Sequence, residues 1–143
     1  MRRVEFLKTC GLACSGGFFL TSVLEGCGNS TFITGTIDHS DLVVPLAVFQ
    51  RDENAFRRYV VVQHESLKYP VCVYRLSNTE YSALWMCCTH QGTELEIFGD
   101  RLECPAHGSR FSDTGKVENG PASTDLRTFP VAVSDNQIHI SLK

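Results

Sequence analysis

The stretch "CCTHQGTELEIFGDRLECPAHGSRF", residues 87–111, limits what this chain can become more than any other feature. It holds two half-sites, Cys88-Thr89-His90 and Cys104-Pro105-Ala106-His107, each with one thiol and one imidazole. A metal centre built from them needs a fold that brings two short loops face to face. The intervening residues offer the means: "ELEIF", then Gly99-Asp100, then "RLEC" reads as a hairpin, because a Gly-Asp pair suits a tight turn. A hairpin returns the chain to where it left, so the loops before and after it can converge.

The remainder agrees with a sheet protein. "LVVPLAVF" (42–49), "RRYVVVQH" (57–64), "VCVYRL" (71–76) and "YSALWM" (81–86) are short runs rich in β-branched and aromatic residues, without helical period. Ser77-Asn78-Thr79-Glu80 and Asp135-Asn136 mark two further hairpins, the second joining "FPVAV" to "QIHISL". Turn signals at these intervals predict an all-β fold, an antiparallel sandwich or small barrel, with the loop-bearing segment inserted. No internal repeat or low-complexity tract interrupts it.

Two cysteines and two histidines suit more than one metal. Zinc accepts such a set in a closed tetrahedral site, usually through Cys-x-x-Cys and His-x₃-His pairs. Mixed pairs, one Cys and one His per loop, suit a two-iron centre in which one iron takes both sulfurs and the other both nitrogens. The surrounding residues go further. Cys88-Thr89-His90-Gln91-Gly92 and Cys104-Pro105-Ala106-His107-Gly108-Ser109-Arg110-Phe111, followed by Gly120-Pro121-Ala122, resemble the Rieske iron–sulfur family over residues 85–122.

That resemblance implies a [2Fe-2S] cluster held by Cys88, His90, Cys104 and His107, under a covering loop that contains Pro121. It gives Gly92 and Gly108 the role of letting backbone amides approach the sulfurs, and Ser109 that of a hydroxyl donor to a bridging sulfide. Phe111 stands where high-potential members carry a tyrosine. Thr93 and Ala106 stand where quinol-oxidising members carry a disulfide, which this chain therefore cannot form. Two ferric ions, two sulfides and two thiolates sum to zero charge, so such a centre accepts an electron more readily than a four-cysteine one. Its potential falls between about −150 and +300 mV, against about −400 mV for plant-type ferredoxins. With one donor kept and one missing, an intermediate or low value is expected.

The N-terminus predicts export. Arg2 and Arg3 precede a small, apolar run from Cys10 to Leu24, the layout of a signal segment over residues 1–26. Arg2-Arg3 followed by Phe6-Leu7-Lys8 is similar to a twin-arginine signal. Leu24-Glu25-Gly26-Cys27 resembles a lipobox, which makes Cys27 the expected lipidation site and the start of the mature chain. An uncleaved anchor is the alternative. Residues 27–40 read as a linker and 41–143 as the Rieske-like domain.

Function follows from these parts. The 143 residues carry a net charge of −3, which excludes the basic face of a nucleic-acid partner. The expected protein is a one-electron carrier, or the small electron-transfer subunit of an oxidoreductase, rather than a self-contained catalyst. It would sit on the outer or periplasmic face of a bacterial membrane and exchange electrons with redox protein partners. The alternatives are a Rieske subunit of a quinol-oxidising cytochrome complex and a zinc-stabilised binding module. A ring-hydroxylating oxygenase needs a separate mononuclear-iron domain, for which the exported portion is too short. Cys72 is expected in the core and Cys87 as a spare thiol. A disulfide between those two is conceivable across the hairpin, though placed diagonally. His39, His64 and His139 are expected as surface or strand residues, and Trp85 as a core anchor.

Overall fold

A computed structural model describes residues 32–143. The export segment, Cys27 and the start of the linker lie outside the described residues. Three sheets are stacked through two cores. The central one runs β1(Phe32–Thr34), β6(Tyr59–Gln63), β7(Val71–Arg75), β8(Tyr81–Trp85), β13(Thr128–Phe129). A base sheet has the order β14(Val131–Ser134), β15(Gln137–Ser141), β3(Asp41–Pro45), β2(Thr36–Asp38). The third, the tip sheet, has the order β12(Val117–Asn119), β11(Arg110–Ser112), β10(Arg101–Glu103), β9(Glu96–Phe98). A small hairpin, β4(Gln50–Asp52) with β5(Ala55–Phe56), completes the set.

Alternation along the central strands feeds both cores. Val60, Val62, Val71, Val73 and Ala83 pack with Leu42, Val44, Ile138 and Ile140 of the base sheet. Val61, Cys72, Tyr74 and Leu84 face the other way, onto Leu95, Leu102 and Phe111 beneath the tip sheet. This double burial explains why β6 and β7 read as unbroken apolar runs.

The three sequence hairpins form where expected, with Phe98 opposite Arg101, Arg75 opposite Tyr81 and Ser134 opposite Gln137. The sheets stay open rather than closing into a barrel. Pro130 separates β13, paired with β8, from β14, paired with β15. Lacking an amide hydrogen, it ends one ladder and lets the chain cross to the next sheet. Antiparallel pairing holds except between β1 and β6, which run parallel. The long stretch between them crosses the base sheet first, as a parallel pairing requires.

Two segments differ from the sequence reading. Residues 32–38, assigned to the linker, form β1 and β2. Their few apolar side chains hide strands that are held by backbone pairing. Gly35 joins them beside Leu42 and Val62, where a Cβ would come within 2.6 Å of the Leu42 side chain. In the run 42–49, the strand stops at Pro45 and Leu46–Phe49 turns into a 3-10 helix that buries Phe49.

Candidate metal centre

The tip sheet carries the two half-sites on loops of identical frame. Loop 88–93 is closed by Cys88 N–H donating to the Thr93 carbonyl at 2.8 Å and Gly92 N–H donating to the Cys88 carbonyl at 2.8 Å. In loop 104–109 the matching bonds run from Cys104 N–H to the Ser109 carbonyl (2.8 Å) and from Gly108 N–H to the Cys104 carbonyl (2.9 Å). Each loop is pinned at its base by strand pairing, Cys87 with Glu94 and Glu103 with Arg110. The frame turns on the glycines: Gly92 has φ +75° and Gly108 φ +79°, in the left-handed region that favours glycine. Their amides serve the turn. The amides aimed at sulfur belong to His90, toward Cys88, and to Ala106 and His107, toward Cys104.

This frame sorts the four predicted ligands by chemistry. Cys88 and Cys104 are buried and close enough for each to shift the other's thiol. His90 and His107 are exposed, with ring centroids 5.0 Å apart and planes at 86°. Among the described residues, no three His, Cys, Asp or Glu side chains gather as a single-ion ligand group. The donors come two by two, sulfurs inside and nitrogens outside.

The thiols differ electrostatically. Burial pushes Cys88 up, partly offset by the His90 amide and the Ser109 hydroxyl. Burial also pushes Cys104 up, but the amides of Ala106 and His107, the Cys88 thiol and the Thr93 hydroxyl together outweigh it and bring Cys104 down. Of the two, Cys104 is the sulfur that its donors prepare to carry negative charge.

A third segment covers the pair. Ala122 N–H donates to the fully buried Ser109 Oγ at 3.0 Å, which leaves the hydroxyl proton free for sulfur. Thr89 Oγ1 donates to the Thr124 carbonyl at 2.6 Å, and Asn119 Nδ2 to the carbonyls of Gly108 (3.1 Å) and Gly120 (3.0 Å). Pro121 lies exposed at the bend of this loop, and Phe111 is fully buried below. Tyr69, which no sequence signal marked, donates its hydroxyl to the Gly92 carbonyl at 2.6 Å. Its ring meets Trp85 edge-on, and Trp85 in turn meets Phe129.

The other candidates stand apart. Cys72 and Cys87 are free thiols; Cys72 lies opposite Leu84, and burial pushes its thiol far up. His39 is exposed beside Asp38, and His64 bonds Ser66. His139, in β15, is half-buried with its Nε2 unpartnered.

A buried thiol pair and an exposed imidazole pair, on neighbouring loops of an all-β scaffold, are the donor set that a dinuclear centre with mixed ligands would take. Comparison with known proteins agrees: the Rieske [2Fe-2S] domain family matches residues 45–130, and the chain belongs to that family. Its cofactor is a [2Fe-2S] cluster, and the donor set above fits one. Among relatives, the cytochrome b6-f complex iron-sulfur subunit 1 of Synechocystis is 45% identical over 56 residues, 38% of this chain and 32% of its own length. The chain thus matches about a third of the relatives' length. A crystal structure of the plasma membrane Rieske protein of Synechocystis is 30% identical, with TM-score 0.49, covering 71% of this chain and 86% of that one. A complex of reduced oxygenase and oxidized ferredoxin in carbazole 1,9a-dioxygenase contributes a chain of the same fold: 24% identity, TM-score 0.55, coverage 74% and 96%.

Proposed function

We propose that this protein passes single electrons to and from redox protein partners, with Cys88 and Cys104 holding one iron and His90 and His107 the other. The observation that carries the reading is the segregation of donors, buried sulfurs inside and exposed rings 5.0 Å apart outside. The bound cluster supplies a one-electron couple. The protein supplies the rest. Amides of His90, Ala106 and His107 stabilise thiolate charge, the covering loop excludes water, and the imidazole edges give electrons a short way out. The basic and apolar N-terminal segment supports export and a membrane tether at Cys27, or through an uncleaved anchor, on the outer face of a bacterial membrane.

Similarity to cytochrome b6-f subunits favours a second reading, the iron–sulfur subunit of a quinol-oxidising complex. Phe111, and Thr93 with Ala106 in place of a disulfide, weigh against it. The full chain purified without oxygen decides among the readings. About two irons per chain, visible colour, a reduced-state paramagnetic signal and a midpoint below about +200 mV support the carrier. A midpoint well above that favours the quinol-linked subunit. Colourless protein with one bound zinc per chain overturns both.

A further inference from the structure

The two loops share a feature at their glycines. In each, the glycine of positive φ donates its amide to the cysteine carbonyl, while its own carbonyl accepts a side chain from outside the loop. For Gly108 the donor is Asn119 Nδ2 of the covering segment, at 3.1 Å. For Gly92 it is Tyr69 Oη at 2.6 Å, from the connection between β6 and β7 of the central sheet. The phenol is held in place by contacts of its own. Trp85 meets the ring edge-on with centres 5.7 Å apart, and Lys68 Nζ lies 5.2 Å from the ring centre. Pro70 follows directly, and its carbonyl accepts the Met86 amide at 3.1 Å. A donor restrained in this way loses little further freedom on bonding.

We propose that Tyr69 is a positioning residue for the centre, whose hydroxyl fixes the Gly92–Thr93 peptide plane and thereby raises the reduction potential. This rests on the ligand assignment proposed above. A trans peptide is planar, with its carbonyl and its N–H on opposite sides. The bond that holds the Gly92 carbonyl toward Tyr69 therefore keeps the Thr93 N–H turned away from Tyr69. Thr93 is joined to Cys88 through its own carbonyl at 2.8 Å, so this amide stands beside a sulfur-bearing residue. An amide fixed near the sulfurs stabilises the electron-rich reduced state more than the oxidised one, and electron affinity rises. Glycine makes the clamp necessary, because without a Cβ it lets the plane swing at little steric cost.

The test compares Tyr69→Phe, which removes the hydroxyl alone, with Tyr69→Leu, which removes the ring as well. Both are made in the full chain, with redox titration followed by electron paramagnetic resonance, iron analysis and thermal melting. Tyr69→Phe keeps its iron, and its reduction becomes about threefold less favourable, about 28 mV lower for a one-electron couple. Its reduced-state g-values move as well, and Tyr69→Leu lowers the potential no less. An unmoved or higher potential in iron-loaded Tyr69→Phe overturns the proposal even if melting is earlier, because the hydroxyl then serves stability alone. A shift confined to Tyr69→Leu also overturns it, since packing of the ring would be the cause. Failure of Tyr69→Phe to hold iron assigns the hydroxyl to assembly and overturns the tuning role. An original protein without iron sinks the ligand assignment itself; normal iron with an unmoved potential in Tyr69→Phe sinks only the role of Tyr69.

Discussion

Two adjacent cysteines, Cys87 and Cys88, compete on paper for one iron, and the backbone separates them. Successive residues of an extended chain point to opposite sides. Cys88 turns inward to Cys104 while Cys87, half-buried, belongs to the bridge with Glu94. Cys87→Ser is therefore expected to retain full iron and colour, and Cys88→Ser to lose both, as read by iron analysis and visible absorption. Retention in Cys88→Ser would remove the ligand assignment. Ser109 carries a different load. Its oxygen accepts the Ala122 amide in a fully buried position, so Ser109→Ala leaves a buried donor without an acceptor. That costs about 1–3 kcal/mol, measurable as a lower denaturation midpoint, and the midpoint potential falls as the hydroxyl near Cys88 is lost.

Elements position these residues, and one carboxylate fastens the far end of the covering loop. Asp125 accepts the Val117 amide at 2.9 Å and Lys116 Nζ at 2.7 Å, which fastens the end of the cover to β12. The Lys116 bond, then the Val117 amide, hold the Asp125 carboxyl below its usual range, and Asp125 holds Lys116 above its own. With its folded pKa depressed, Asp125 stabilises above the ordinary carboxylate range and stops doing so as pH falls through that lowered value. Lys116, raised, contributes below the ordinary lysine range and stops as pH climbs through its higher folded value. Melting curves of Asp125→Asn and the original should hence differ at neutral pH and converge in strong acid; a pH-independent gap would contradict the brace. Elements also differ in how plainly the sequence announced them. Hairpins at Gly99-Asp100 and Asp135-Asn136 were legible because each turn names the residues that accept positive φ. The two loops were legible as candidate half-sites from Cys and His spacing. β1 and β2 were not, since strands of three residues are too short to show a periodicity. Tyr69 was equally silent: that its hydroxyl meets the Gly92 carbonyl depends on a partner distant in the chain.

At the scale of the molecule, the two cores share the central sheet but no residue. Val44, Ile138 and Ile140 sit on the base side, whereas Cys88, Cys104, Leu95, Leu102 and Phe111 belong to the core beneath the proposed metal centre. Besides the apolar face itself, contacts between the tip and the rest include Tyr69 Oη donating to the Gly92 carbonyl (2.6 Å), Tyr74 Oη donating to the Gly99 carbonyl (3.2 Å), Ser82 Oγ donating to the Asp113 carbonyl, and the Arg58–Asp113 ion pair (2.7 Å). A ligand that binds only the folded tip stabilises the tip most directly. Stripping the metal with a chelator is therefore expected to act unevenly. Backbone amides of Leu95, Leu102 and Phe111 should exchange hydrogen at least tenfold faster, while those of Val44, Ile138 and Ile140 keep most of their protection. Hydrogen exchange read residue by residue on metal-loaded and stripped protein checks this. Uniform loss through both cores would mean that base and tip unfold as one unit, and that the central sheet transmits the strain of an empty site to its far face.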